Sequence, residues 1–515
     1  MYLLYLFLSV LQVLILHNKV LQDLSQSVIM DISLFRRQTM DRRPNILLLM
    51  TDQMRGDCLG IAGHPDVKTP HLDDLAAGGA LYPNAYSACP SCIPARATLF
   101  TGMSQRSTGR VGYLDLVPWR YEHTLAGELS KAGYYTHCVG KMHVHPLRSL
   151  QGFHNVRLHD GELHAYRRPD TPSYENQHTA DDYFWWLQQQ GICADRNDSG
   201  LDCNSWVARP WPYEEKYHPT NWVATECLDF LRRRDREKPF FLMASFHRPH
   251  APMDPPQCYL DLYKDKPLAP PHRGDWNDED RAERDGRRII GDLGTCDPSY
   301  VQRMREAYYG SITHIDHQIG RILRAIDTER LMDNTVIVFL SDHGEMLGDH
   351  LMFRKSKPYQ GSIQIPLFLR GPERYLGGLR GVRTDLVELR DIMPTLLELA
   401  GAPIPETVEG KSLLKGVDRE YLHGEHSLGM DSMHFIVTER DKYVWYSQTG
   451  VERYFDLEKD PHETHDAFAD PGNGARIAQL RGFLIRELTG REEGYTDGTR
   501  LIVGRPPKVV LSNAL

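Results

Sequence analysis

Asn45-Ile-Leu-Leu-Leu-Met-Thr51 is a continuous apolar run that stops at Asp52-Gln53. A strand buried on both faces reads this way, and such strands belong to mostly parallel sheets covered by helices. Three further stretches have the same form. Tyr134 to Val139 ends at Gly140-Lys141-Met142-His143, and Pro239-Phe-Phe-Leu-Met-Ala-Ser-Phe246 ends at His247-Arg-Pro-His250. Asn334-Thr-Val-Ile-Val-Phe-Leu340 ends at Ser341-Asp342-His343-Gly344. Helical patterns lie between them: Thr69 to Ala77 with Pro in the first turn, residues 123–132 stopped by Gly133, and an apolar stripe over 301–326. Strands alternating with helices predict a doubly wound α/β sheet. Open sheets of this kind place ligands beyond the carboxyl ends of their strands. Four strand ends carrying polar, reactive side chains therefore predict one shared site.

The rest of the chain bounds this reading. Its 515 residues exceed what one hydrophobic core usually holds. After Gly401 the pattern changes to short strands over 433–447 and 454–461, then a helix from about Gly474 to Leu488. The expected organisation is a catalytic domain over 40–415 and a smaller α+β domain over 416–515. Residues 145–220 and 264–298 read as loops around a cleft. The net charge of -9 argues against a nucleic-acid partner, and Arg232-Arg233-Arg234 reads as a solvated helix face. Nine scattered cysteines, an odd number, suggest a reducing compartment. The apolar residues 2–17 are too few for a membrane span, and no small-residue cleavage site follows them. The preferred reading of residues 1–39 is an upstream extension ahead of Met40, in a cytoplasmic protein. The other is an export or anchor segment.

Cys92-Ile93-Pro94-Ala95-Arg96-Ala97-Thr98-Leu99-Phe100-Thr101-Gly102 is the segment richest in chemistry. A lone cysteine at a helix start reads as well as a small buried hydrophobe. Cys89-Pro-Ser-Cys92 also has the spacing of a zinc or thiol-redox pair, but no second pair or His pair accompanies it. With Pro94, Arg96 and the downstream Thr101-Gly102, the segment resembles the C-x-P-x-R signature of the formylglycine-dependent (type I) sulfatases of the alkaline phosphatase superfamily. Pro83-Asn-Ala-Tyr86 and Gly310-Ser-Ile-Thr-His-Ile-Asp316 resemble further stretches of that family.

The resemblance implies an alkaline-phosphatase-like α/β fold with a small C-terminal domain. It implies that Cys92 is oxidised to formylglycine by a formylglycine-generating enzyme. One hydroxyl of the hydrated aldehyde would attack sulfur, and the other would then expel sulfate. Asp52, Gln53, Asp342, His343 and residue 92 would hold one divalent cation. Ca²⁺ is the expected ion, with Mg²⁺ and Mn²⁺ as the other candidates. Arg96 would hold residue 92 and the metal, and Asp342 would accept the proton of the attacking hydroxyl. Lys141 and Lys355 would neutralise the sulfate, His250 would protonate the leaving alcohol, and His143 would deprotonate the second hydroxyl. His247 is a less secure addition. Tyr359 follows Lys355 at the spacing the family shows. The expected activity is hydrolysis of an aryl or carbohydrate sulfate. Gln53 and His343 also match the phosphonate monoester hydrolase branch, which is the first alternative. A non-catalytic protein binding sulfated glycans is the second.

Overall fold

The structure, a computed structural model, describes residues 43–161, 179–192, 200–285, 291–294 and 297–514. Residues 1–39, and much of the 145–220 segment, lie outside the described residues. Among those described, no helix is long and apolar enough to cross a membrane.

Eight strands form the main sheet: β1 (Asn45–Asp52), β2 (Ala80–Leu81), β3 (Tyr135–Gly140), β4 (Asn155–Leu158), β5 (Phe240–Pro249), β6 (Thr335–Ser341), β7 (Leu367–Arg370) and β8 (Gly381–Val382). Their order is β4-β3-β5-β1-β6-β7-β2-β8. The four apolar runs are β1, β3, β5 and β6, and they lie side by side, all parallel. Only β7 runs against its neighbours.

Side chains alternate across a strand, so each run must feed two cores. Leu47 and Leu49 of β1 face α1 (Pro70–Ala77), α4 (Pro219–Arg233) and α5 (Pro298–Thr328). Ile46, Leu48 and Met50 face α2 (Cys92–Thr101), α3 (Leu125–Lys131) and α6 (Ile392–Leu399). Each fully buried leucine contributes roughly 2 kcal/mol, and β1 has three. This double burial explains why its sequence shows no polar alternation. The stripe over 301–326 lies within α5, and Thr124 caps α3 by accepting from Gly127 N. Arg232 and Arg233 are exposed, as expected of a solvated face. Arg234 departs from it, packing its guanidinium against Glu329 at 3.2 Å.

A second sheet is an antiparallel meander of β9 (Leu422–His426), β10 (Met433–Val437), β11 (Asp441–Tyr446) and β12 (Glu452–Asp456). One face packs Leu422, Phe435, Val444 and Phe455 against Tyr86, Met346, Tyr359 and Ile363. The other packs Ile436, Tyr443 and Trp445 against α7 (Gly474–Leu488). Tyr359 therefore serves this junction, where its hydroxyl meets Tyr446 at 2.9 Å. The sheet is thus held from both sides, and Asn45–Leu515 form one unit.

Candidate active site

The ends of β1 and β6 are neighbours in the sheet, which brings Asp52 beside Asp342 and His343. Cys92 enters from α2, as its first residue. Donor atoms of Asp52, Cys92, Asp342 and His343 all lie within 4.8 Å of one another. Cys92 Sγ is 3.2 Å from His343 Nε2 and 3.6 Å from Asp52 Oδ1. His343 Nε2 is 3.7 Å from Oδ1 of each aspartate. His343 Nδ1 faces Gly344 O at 3.0 Å, so Nδ1 donates there and Nε2 keeps its lone pair for the cluster.

Arg96 divides the labour of the two carboxylates. Its Nε donates to Asp342 Oδ2 at 3.0 Å, and an Nη donates to Asp52 Oδ2 at 3.4 Å. Lys141 Nζ also pairs with Asp52 Oδ2. Both Oδ1 atoms are left facing His343. The other Nη of Arg96 donates to Lys141 O and, at 3.0 Å, to Ser245 Oγ. Arg96 is fully buried and its donors are spent on this frame. It therefore positions the carboxylates.

Neighbouring charges shift all three of Asp52, His343 and Cys92. Burial pushes Asp52 up, but Lys141, His250 and Arg96 outweigh it and hold the carboxyl well below its usual range. Burial pushes His343 down, yet Asp342 and Cys92 leave it above its ordinary value. Burial and Asp52 push the Cys92 thiol up, but Lys141, Lys355 and His343 bring it below its ordinary value. Two carboxylate oxygens, an imidazole nitrogen and the side chain of residue 92 converge, a donor set that suits a divalent ion.

Lys355 Nζ lies 2.6 Å from both Gln53 Oε1 and His250 Nε2. The amide of Gln53 is thus engaged by Lys355 and, through its nitrogen, by Glu345, beside the carboxylate cluster. His250 Nδ1 donates to Ala251 O at 2.8 Å, which leaves Nε2 to accept from Lys355. Burial, then Lys355, holds His250 well below its ordinary value, so the imidazole is neutral. His247 stacks obliquely on His250, with centroids 5.1 Å apart. His143 is set apart from these contacts. Its backbone N donates to Asp160, and its Nε2 is 4.0 Å from Asp115.

Two of these residues occupy left-handed backbone, Gln53 at φ 69° and His143 at φ 58°. Such positions cost about 1–3 kcal/mol each and concentrate at functional sites. Each is held by a buried partner. Tyr308 Oη donates to Gln53 O at 2.6 Å, Gln53 N donates to Asp342 Oδ1 at 3.1 Å, and Asp160 accepts from Met142 N and His143 N. Gly140 turns β3 into this loop at φ 100°, and a Cβ there would overlap the Ser245 carbonyl oxygen. Sequence reading did not identify Ser245, Asp160, Glu345 or Tyr308. Ser245 left one signal, as the polar residue in the apolar run of β5.

The chain is similar to known proteins. The sulfatase family profile matches residues 44–402, and an N-sulphoglucosamine sulphohydrolase C-terminal profile matches residues 348–489. A Clostridium perfringens protein named arylsulfatase is 53% identical over 472 residues, covering 90% of this chain and 98% of the relative. A Rhizobium meliloti choline-sulfatase is 28% identical over 463 residues, covering 86% and 85%. The crystal structure of a phosphonate monoester hydrolase of Agrobacterium radiobacter superposes with a TM-score of 0.71 at 25% identity, covering 90% of this chain and all of that one.

Proposed function

The chain belongs to the sulfatase family, and from that membership we propose how its site hydrolyses a sulfate ester to an alcohol and inorganic sulfate. The observation that carries the proposal is Cys92 at the first turn of α2, with Asp52, His343 and Lys141 all within 3.6 Å of its sulfur. A maturation enzyme would convert Cys92 to formylglycine, whose hydrate supplies one hydroxyl for attack and another for release. Asp52, Gln53, Asp342, His343 and residue 92 would hold a divalent ion, Ca²⁺ by preference, which supplies positive charge for the sulfate oxygens.

The remaining steps belong to the chain's own residues. Asp342 takes the proton of the attacking hydroxyl through the carboxylate that Arg96 orients. Lys141 neutralises the non-bridging oxygens, as does Lys355. Lys355 and His250 share one transferable proton between Nζ and Nε2, and the departing alcohol takes it. His143, steadied by Asp160, removes the proton whose loss lets sulfate leave. The substrate class is an aryl sulfate, supported by the name of the 53% relative, with carbohydrate sulfates as the next class to assay. Comparing p-nitrophenyl sulfate with an aryl phosphonate monoester decides the class. Faster turnover of the sulfate is expected. Faster turnover of the phosphonate would transfer the chain to the reading that Gln53 and His343 also permit.

The donor set makes a second expectation testable. Dialysis against a chelator lowers kcat/KM on the order of 100-fold, because the positive charge facing the sulfate is withdrawn. Adding back Ca²⁺, Mg²⁺ and Mn²⁺ separately, with metal content measured, identifies the ion. Undiminished rates in demonstrably metal-free protein would remove the cation from the mechanism.

A further inference from the structure

His426 is the last residue of β9 and only 1% exposed. Alternation along β9 puts it on the face of Leu422, which packs toward Tyr86, Met346 and Tyr359. The backbone on its N-terminal side is pinned to the segment that leads to Cys92, and the other side is anchored as well. Glu425 N donates to Ala88 O at 2.8 Å, four residues before Cys92, and Ser427 N donates to Val111 O at 2.8 Å. The segment carrying Lys355 meets the same stretch, where Ser356 N donates to Pro90 O at 3.0 Å. The small sheet thus delivers one imidazole to the edge of the site built by the large one.

Neither ring nitrogen of His426 has a hydrogen-bond partner among the described residues. Each unmet buried polar atom costs about 1–3 kcal/mol, so a fixed residue of this kind requires an explanation. The charges acting on the ring are Lys357, His343, Glu425 and Lys355, and burial together with Lys357 keeps it at about 3, hence neutral. Lys357 is itself held by Asp292 at 2.7 Å. Three of the four groups are donors or cations, so what this corner lacks is an acceptor. The opposite face of β9 differs. There His423, Glu425 and His434 converge, but both Glu425 oxygens already accept from Arg491 at 2.8 and 2.9 Å.

We propose that His426 is a substrate-contacting residue of the active site, whose imidazole N–H donates to an oxygen of the bound sulfate group. The proposal rests on the sulfate-ester reading and extends it to the second sheet. A donor at this position fixes the orientation of the sulfate tetrahedron without adding charge that would hold the product.

The test compares wild type with His426→Ala and His426→Gln, Gln restoring an N–H donor. Inorganic sulfate binding is measured by calorimetry, KM with p-nitrophenyl sulfate, and stability by thermal unfolding. His426→Ala weakens sulfate binding and raises KM about tenfold, the size expected of one hydrogen bond to a charged group, and Gln recovers most of both. The alanine variant unfolds no earlier than wild type, since it removes two unmet polar atoms. Sulfate affinity and KM within twofold of wild type would overturn the proposal, and so would a lowered unfolding temperature with both constants unchanged. Wild-type protein that binds sulfate but turns over no sulfate ester would instead overturn the reading beneath it, while the binding comparison still judges His426.

Discussion

Cys92→Ala protein folds normally and loses sulfate ester hydrolysis by about 10⁴-fold or more, the scale seen when a covalent nucleophile is removed. The argument rests on the position of the residue. Its side chain stands where two carboxylates, an imidazole and a lysine converge. Alanine takes little room away, because Cys92 sits at a helix start held by its own backbone bonds, so the fold tolerates the change. Circular dichroism and thermal unfolding check the fold, and free sulfate release checks the rate. A variant that keeps its full rate would exclude residue 92 as the nucleophile. Mass spectrometry of tryptic peptides from wild type addresses the separate question of conversion, since the aldehyde is lighter than the thiol.

Arg96→Met has the larger effect on stability. Arg96 makes buried bonds to Asp342, Asp52, Lys141 O and Ser245 Oγ, and no water reaches it. Methionine fills much of the volume but strands two buried carboxylates. Breaking a buried ion pair from one side costs about 3–5 kcal/mol, most of it from the charge left behind. Arg96 is one of the cations that hold the Asp52 carboxyl well below its usual range against the opposing effect of burial, so losing it lets the carboxyl rise. The penalty therefore shrinks as the pH falls and the carboxylates protonate, and it also shrinks when a divalent ion is supplied. Urea unfolding of metal-free protein measures it. A loss below about 1 kcal/mol would mean that Lys141 alone balances Asp52 and that Arg96 is not the frame of the site.

The central strands were readable because each is buried on both faces and so has an unbroken apolar sequence. The last two strands of the sheet order, β2 and β8, have two residues each, too few for any periodicity to show. β9 was missed for another reason. Its sequence Leu-His-Gly-Glu-His has the right alternation, but one face carries His423 and Glu425 rather than neutral polar residues, and Arg491, the partner of Glu425, lies 66 residues away. The residues that converge around Cys92 were legible through motifs. Their supports were not, because Asp160, Glu345 and Tyr308 act through contacts between distant segments. Gln53 shows the limit most clearly. Its place after β1 was legible, but its pairing with Lys355 spans 302 residues and leaves no local trace.

Cys92 is 2% exposed, walled in by Arg96, Lys141 and two strand ends. Under the maturation proposed above, that closure imposes an order on biosynthesis. An enzyme that oxidises the thiol needs the segment in its own cleft, which the finished sheet forbids. Folding and oxidation thus compete for the same nascent stretch, and whichever comes first is final. Molecules that fold first are well made yet permanently silent. The specific activity of a preparation then reports the outcome of that race, so lowering the synthesis rate or supplying more maturation enzyme raises it without any change in the amount of folded protein.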